Sequence, residues 1–594
     1  MTLTGLAQFG VFFLALIAIT KPLGAYMARV FEGEPTFLSP LLRPLEKLTY
    51  RLTGIRQEEQ RWTQYCASCL AFGVMNFLLF YVLQRWQGFL PLNPEHLGTS
   101  HALPGSTPLT PDLAFNTAVS FMTNTSWQSY AGESTLGYLA QMLGVAVQSF
   151  TSAAAGTAVA VALIRGFARR QTAALGNFWV DLTRAILYVF LPLSLAGALL
   201  LCSRGVIQNF HAYRTVKTVE GHEQTIPGGP VASQEAIKLL SSDGGGFFNV
   251  NSAHPFENPT PFTNLFEMLL IVAVPAGLTH TFGRMVSDRR QGWSLFSVMF
   301  AMLVALSLIA YASEKRGNPI LGRLGLQSSA SAGSPGGNLE GKEVRFGNAG
   351  SALFSVVSTT TSSGAVNSMH DSYTPLGGLV QMFNMKTGEV IFGGPGSGLY
   401  GMLLIALVAV FIGGLMVGRT PEYLGKKIEG REMKMVMLSM IACSACILLC
   451  TASGTLLRFH HSGYWNPPGA LTANLNNHGP HGFSEILYNY ASATATNGSA
   501  FAGFNADTPW CNLTLGLAML AGRFFIIIPT LAIAGSLAMK KKLPPTGGTM
   551  PTHGLQFSLL LFGTIMIVAA LTFLPAFALG PIVEQFSMSA GRAF

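Results

Sequence analysis

Phe121-Met122-Thr123-Asn124-Thr125-Ser126-Trp127-Gln128 breaks an otherwise apolar chain with a run of short polar residues. Three more stretches do the same: Ser242-Asp243-Gly244-Gly245-Gly246-Phe247-Phe248-Asn249, Ser358-Thr359-Thr360-Thr361-Ser362-Ser363-Gly364-Ala365 and Ala493-Thr494-Ala495-Thr496-Asn497-Gly498-Ser499-Ala500. Each follows a half-length helix-like run (Asp112–Phe121 after Pro111, Ser233–Leu240, Ala349–Val357, Phe483–Ala491), and each precedes a long hydrophobic run. Thr125 and Gly244 are 119 positions apart, Gly244 and Gly364 are 120, and Gly364 and Gly498 are 134. A period of this kind signals one structural unit copied, here span, short pore helix, polar loop, span.

The hydrophobic runs reach membrane length. About 20 mostly apolar residues cross the hydrocarbon core, and ten stretches qualify: about 3–20, 62–84, 134–164, 174–203, 262–283, 294–312, 398–418, 435–457, 512–538 and 555–579. Charged residues are 11% of the 594, against roughly 25% in soluble domains. The expected fold is an all-α polytopic membrane protein with ten transmembrane helices and four M1-P-M2 pore-loop repeats. The expected segments are 1–61 (first span and cytoplasmic loop), 62–173, 174–290, 291–430 and 431–545 (repeats 1 to 4), and 546–594 (last span). The outside connections 204–232 and 313–348 read as surface loops, with a low-complexity stretch at 327–341.

Basic residues set the orientation. Most Lys and Arg fall in five loops: 21–61, 165–184, 284–290, 419–434 and 540–542. Placing these inside puts the N-terminus outside. The net charge of +9 then belongs to the inner face of a membrane protein, and no nucleic-acid partner is expected. Cys66/Cys69 and Cys443/Cys446 form CxxC pairs within apolar spans and read as packing residues. His460, His461, His478 and His481 read as solvated loop residues, with no carboxylate or cysteine at firm metal-ligand spacing. Asp181 and Arg184 read as a structural pair.

Irregular backbone is tolerated at membrane depth only where it lines a water-filled path or is buried in protein. Four equivalent loops would line one path. Gly frees the backbone to turn its carbonyls one way, and Thr and Ser add hydroxyl oxygens. Such a ring replaces the hydration shell of K⁺ without a full charge, and pore-helix C-termini add partial negative charge. The loops therefore point to a filter for a small monovalent cation, K⁺ foremost.

At longer strings the chain resembles the potassium-binding KdpA subunit family of the bacterial Kdp potassium-transporting ATPase, over essentially its whole length. The strings are Thr123–Gln128, Gly244–Asn249 continuing through Asn251–Pro259, Gly393–Gly401, Gly418–Lys427 and Thr494–Gly503. The resemblance implies membership of the K⁺-transporter superfamily and a location in the bacterial cytoplasmic (inner) membrane. It implies a complex with the P-type ATPase subunit KdpB and the small KdpC and KdpF subunits, with ATP and Mg²⁺ only on the partner. K⁺, the transported ion, would be bound from outside and passed through an intramembrane tunnel to KdpB. Carried over by motif, the filter is Asn124, Thr125 and Ser126; Ser242, Asp243 and Gly244; Ser362, Ser363 and Gly364; and Thr496, Asn497 and Gly498. Gln128 falls at a family glutamine tied to K⁺ affinity. In the family, Asn is commoner than Ser at 126 and than Asp at 243, and Cys than Ser at 363, so the effect of Asp243 on selectivity stays open.

Charges inside a membrane mark functional candidates. Arg523 follows the fourth loop, and in the family such an arginine faces the pore and would oppose leak. Lys386 and Glu389 interrupt the second span of repeat 3 before Gly393-Gly394-Pro395-Gly396, and a Gly/Pro-broken helix points to a transport path. Glu389 would ease a cation out of the filter, and Lys386 would pair with it or gate. With Arg419 these residues form the expected pathway and gate set.

The chain carries no GxxxxGK[ST] loop. Met385 precedes Lys386-Thr387-Gly388, so the phosphorylation string Asp-Lys-Thr-Gly is missing. The chain alone is therefore not expected to be an enzyme, and pumping needs a partner. A stand-alone Trk/Ktr-like K⁺ transporter shares the filter but differs in the extra spans and in the strings around 393–427. A lipid-linked transferase would want acidic clusters in membrane-adjacent loops, where the filter repeats offer only Asp243.

Overall fold

The computed structural model describes residues 1–102, 109–326, 329–331, 335–460, 475–544 and 550–592, with side chains at 457–460 excepted. Parts of 327–341, the residue His461 and the His460 side chain lie outside the described set. Among the described residues, ten helices are long and apolar enough to cross a membrane, and each corresponds to one expected from the sequence. The four half-length helices are Pro111–Met122, Val231–Leu240, Gly347–Thr360 and Gly479–Ala495. Two of them take Pro in their first turn, where a missing N–H costs nothing, and a third has Pro230 as its N-cap.

Burial sorts the spans into two shells. In the four spans that follow a pore loop (Ala140–Ala168, Pro261–Met285, Ser397–Met416, Pro509–Met539), 61–83% of the most apolar window is buried. In the other six the share is 22–50%. The post-loop spans therefore form the inner ring around the pore helices. The preceding spans and the two extra ones form the lipid-facing rim. This explains why the inner spans carry Ala, Gly, Ser and Thr. Helices in lipid gain little from hydrophobicity and associate where small residues let them pack closely.

The first span, expected to end near residue 20, continues as one helix through Lys21 and Pro22 to Glu32. Its lower half lies against Pro261–Met285, where Thr281 Oγ donates to the Gly24 carbonyl at 3.0 Å and Arg284 donates to Ala25 at 3.2 Å. The following loop contains an amphipathic helix, Ser39–Thr53. The outer connection 204–232 likewise contains an antiparallel hairpin, Arg214–Lys217 with Glu223–Ile226. The helix is polar on one face and the hairpin strands are almost wholly exposed, so both escape a hydropathy scan.

The inner face is held by buried charges. Asp181 and Arg184 do not pair as expected. Asp181 takes a two-pronged bond from Arg165 (2.5 and 2.8 Å) and one from Tyr65 (3.0 Å), while Arg184 bonds Glu46 of the amphipathic helix (3.0 Å). One turn separates neighbouring residues on a helix, but tertiary packing aims them at different partners. The hairpin Glu422–Tyr423/Lys426–Lys427 buries Lys426. Its ammonium donates to the carbonyls of Gly166 (2.8 Å), Leu537 (2.6 Å) and Arg169 (2.5 Å). These carbonyls end the inner spans of repeats 1 and 4, so one side chain satisfies orphan carbonyls of the first helix C-terminus and ties it to the second, where Leu537 also accepts the Lys540 N–H (3.1 Å). Burial, with Lys542, Arg170 and Lys540 nearby, pulls the Lys426 ammonium down to about 8.

Candidate functional site

The four polar stretches close their pore helices in the same way. The N–H groups of Thr125, Asp243, Ser363 and Asn497 donate to the carbonyls of Ser120, Lys238, Ser358 and Ser492, five residues back, at 2.8, 2.9, 3.1 and 2.9 Å. The residue before each donor is left-handed: Asn124 (φ 63), Ser242 (φ 50), Ser362 (φ 57) and Thr496 (φ 61). This is a Schellman closure, which usually places Gly at the left-handed position. For an L-residue that conformation costs about 1–2 kcal/mol. Three of the four side chains are tied into their own repeat. Asn124 Oδ1 accepts from Ser152 (2.8 Å), Ser242 Oγ donates to the Ile271 carbonyl (2.9 Å), and Ser362 Oγ donates to Glu389.

This backbone register corrects one equivalence. The counterpart of Gly244, Gly364 and Gly498 is Ser126, not Thr125, so the first interval is 118 residues. Ser126 is left-handed (φ 59), as are Gly364 and Gly498.

The loops brace one another in a ring. A Cβ on Gly245 would lie 2.9 Å from the Ser126 carbonyl oxygen, and one on Gly244 would lie 2.6 Å from Gly364 Cα. A Cβ on Gly364 would overlap the Asn497 carbonyl, and one on Gly498 the Thr125 carbonyl. Loop 1 thus abuts loop 2, loop 2 abuts loop 3, loop 3 abuts loop 4, and loop 4 returns to loop 1. Side chains reinforce the seams. Ser126 Oγ donates to Asp243 Oδ1 (2.8 Å), Ser363 Oγ to the Asp243 carbonyl (3.3 Å), and Asn497 Nδ2 to the Ser358 carbonyl (3.0 Å). Gln128 Oε1 accepts the Gly246 N–H at 3.0 Å. A vestibule of about 540 Å³ opens above the ring. Ser126, Gly244, Gly364 and Gly498, one from each loop, line it, as does Gln128. Asp243 is wholly buried, and its carboxylate serves the seam to loop 1.

Below the ring, repeat 3 is broken as expected: Pro375–Lys386, an irregular stretch, then Ser397–Met416. Glu389 is buried and left-handed (φ 51), and its carboxylate takes Ser362 Oγ and Asn497 Nδ2 (2.9 Å). It joins loops 3 and 4 from beneath. Lys386 does not pair with it, contrary to one of the two expected roles. The helix ends at Lys386, and its ammonium lies 4.6 Å from the Phe577 ring centre and 5.9 Å from that of Phe573, both on the last span. Lys386 borders a largely apolar cavity of about 120 Å³ with Thr387, Ser439, Cys443, Thr494 and Phe573. Arg523, also buried, donates to the Ser152 carbonyl at 3.0 Å and makes no ion pair with any described carboxylate. The turn at Pro395 and Gly396 packs against Gly156, beside this guanidinium. Arg419 is exposed on the loop after Ser397–Met416, and its position gives no support to a place in the pathway set.

Sequence reading missed the charged anchors above the ring. Lys238 of the second pore helix is buried between Glu235 (2.6 Å) and Glu257 (2.8 Å), and Glu257 also accepts the Phe248 N–H (3.0 Å). Lys342 pairs with Glu314 at 2.8 Å beside repeat 3. A Glu and a Lys three apart in an apolar half-helix were the available signal. His481, expected in solvent, is instead largely enclosed among Asp371, Glu485 and Glu584, its side chain 11% exposed. Asp371 and Glu584 come from distant parts of the chain, and the one local signal was Glu485, four residues along the same helix.

Pore helices aimed at a closed ring of four loops, an inner shell of spans and one broken inner span define a pore-loop membrane transporter fold. The solved structure of the potassium transporter TrkH from Vibrio parahaemolyticus shares this fold, with a TM-score of 0.50 at 15% identity over 89% of this chain and 96% of that one. The family model for the potassium-transporting ATPase A subunit, KdpA, matches residues 10–586, and the chain belongs to that family. Among curated relatives, proteins of Solibacter usitatus (55% identical) and Rhodospirillum centenum (54%) align over 100% of this chain and 100% and 99% of their own lengths. Both are called potassium-transporting ATPase potassium-binding subunit.

Proposed function

We propose that this chain is the K⁺-binding and translocating subunit of an ATP-driven uptake complex, working with KdpB, KdpC and KdpF in the bacterial inner membrane, N-terminus outside. The observation that carries this reading is the ring of four loops with the same backbone closure. K⁺ enters the vestibule and exchanges water for loop oxygens at Asn124–Ser126, Ser242–Gly244, Ser362–Gly364 and Thr496–Gly498. Four helix C-termini, each equivalent to roughly half a negative charge, face it, so the site attracts a cation without carrying a full ligand charge. Asp243 and Gln128 act on the ion through the seams they hold. The guanidinium of Arg523, which has no carboxylate partner among the described residues, opposes straight passage to the inside. Glu389 couples the lower edge of loops 3 and 4 to the broken span. The cavity beside Lys386 supports a sideways exit, an intramembrane tunnel to the ATPase subunit, which holds ATP and Mg²⁺. The segments 62–173, 174–290, 291–430 and 431–545 are the four repeats of this machine.

Purifying the chain from its native membrane, identifying its partners by mass and assaying K⁺-stimulated ATP hydrolysis tests the proposal. A copurifying P-type ATPase whose turnover needs K⁺ is expected. A chain that carries K⁺ flux alone, with no ATPase attached, overturns it in favour of a stand-alone transporter.

A further inference from the structure

A cluster of metal-ligating side chains lies at the outer end of the fourth pore helix. His481 and Glu485 stand one turn apart on that helix, four residues being the spacing that puts side chains on one face. Asp371, in the short turn His370–Ser372 beyond the third loop, comes up to the same face. One donor atom from each of the three residues lies within 4.8 Å of the other two. The imidazole Nε2 is 3.1 Å from Asp371 Oδ1 and 4.0 Å from Glu485 Oε1. Ligands at about 2.0–2.2 Å in a tetrahedral zinc site are separated by about 3.3 Å, so these spacings need only small adjustments.

Three further observations point to a cation. Glu485 is fully buried, and its Oε2 has no hydrogen-bond partner. A buried carboxylate oxygen left so is costly. Its other oxygen accepts from Asn477 Nδ2 at 2.9 Å. Gly503 faces the cluster: a Cβ there would lie 2.6 Å from Asp371 Oδ2 and would also overlap Glu485 Oε1, so the glycine keeps this space open between the two carboxylates. The imidazole Nδ1 is 2.6 Å from Glu584 Oε1 on the last span. A histidine that donates its second N–H to a carboxylate while its other nitrogen faces two more is arranged as a metal ligand with its orienting partner.

We propose that Asp371, His481 and Glu485 form a binding site for a divalent transition metal, Zn²⁺ foremost, with Glu584 orienting the imidazole. One nitrogen and carboxylate oxygens suit Zn²⁺ or Mn²⁺ better than a soft-ligand metal. The bound ion would tie the turn beyond the third loop, the fourth pore helix and the last span together. Met369 and His370, next to Asp371, line the vestibule, so the site sits at its wall and stands independently of the K⁺ reading.

The test uses the intact complex, purified without a polyhistidine tag, stripped with chelator and dialysed against micromolar Zn²⁺ or Mn²⁺. Elemental analysis is expected to find about one Zn²⁺ per chain in the wild type. Glu485→Gln and His481→Gln should lose it while eluting as the same monodisperse complex. Glu584→Gln keeps the stoichiometry but weakens affinity by roughly 10–100-fold, as lost orienting partners do. Zn²⁺ should raise the melting temperature of the wild type and not of Glu485→Gln. Equal zinc content in wild type and the Glu485 and His481 variants, or no zinc in the wild type because a proton on His481 bridges the carboxylates instead, overturns the proposal.

Discussion

Gly244→Ala isolates what the ring does. Gly244 is absent from the left-handed residues, so alanine meets no conformational barrier there. The added methyl would lie 2.6 Å from Gly364 Cα and 2.7 Å from the Gly364 oxygen. Carbon atoms in contact prefer about 3.5–4.0 Å, so loops 2 and 3 must part by about 1 Å. Such a shift takes at least one carbonyl out of reach of the ion. A hydrogen bond to a charged group is worth about 1.5–3 kcal/mol, and we take one oxygen-to-K⁺ contact as similar. At 1.4 kcal/mol per decade, half-saturating K⁺ should rise about 10- to 100-fold. The assay is ATP hydrolysis by the purified complex titrated with K⁺, with Rb⁺ and Na⁺ in parallel. Gly563→Ala is the control, because a Cβ at Gly563 would touch nothing within 4 Å. If Gly244→Ala leaves half-saturating K⁺ within twofold of the control, the ring is not the affinity-determining element.

Other variants probe the charges around the ring. Glu389→Gln keeps one acceptor for two donors, Ser362 and Asn497, and the loss of about 1 kcal/mol should weaken K⁺ activation by roughly fivefold, measured in the same titration. Gln128→Arg removes the acceptor for the Gly246 N–H and adds a cation at the vestibule, so half-saturating K⁺ should rise at least tenfold; an unchanged value argues against the vestibule as the entry. Lys386→Met removes a buried cation with no carboxylate partner and should raise the melting temperature in a thermal-shift assay, since an unpaired buried charge is costly; a lower melting temperature would mean that the aromatic contacts outweigh this cost. Lys426→Met strands the Gly166 and Arg169 carbonyls and takes one of two donors from Leu537, costing about 3 kcal/mol near neutral pH. Because the folded-state Lys426 is pulled from 10.5 to about 8, the folded protein binds its proton less readily than the unfolded chain. Its contribution therefore improves as pH rises from about 8 towards 10.5 and is flat below. Denaturation of wild type against Lys426→Met across that range reads the slope.

The sequence revealed what depends on local composition. The ten spans, the four half-helices and the break at 387–396 all follow from runs of apolar residues interrupted by Gly, Ser, Thr and Pro. Features that depend on distant partners stayed hidden. The matching of Ser126 to Gly244 needed backbone angles, because a left-handed serine looks like any other serine in a string. Asp243 read as a carboxylate near the ion, but Ser126 across the seam makes it a brace. Glu389 suggested a stepping stone for the cation, and its bonds to Ser362 and Asn497 reveal a tie. His481 looked solvated because two of its acidic partners lie 110 residues upstream and 103 residues downstream, and Glu485, four residues along the helix, does not by itself make a site. Lys426 lay inside a quoted string, yet its place under two helix ends follows only from how repeats 1 and 4 converge.

The seam between loop 4 and loop 1 has a consequence for how the protein is made. Thr125 leaves the ribosome some 370 residues before Gly498, the residue that packs against its carbonyl. Until the last pore helix is in place, the first three loops form an open arc with one side unbraced, and their left-handed residues lack half of their support. Closure of the ring thus belongs to the chain with its fourth loop in place, and not to any shorter piece that lacks it. A nascent or truncated chain that stops short of residue 498 holds three of the four loops and lacks the contact between Gly498 and Thr125 that closes them.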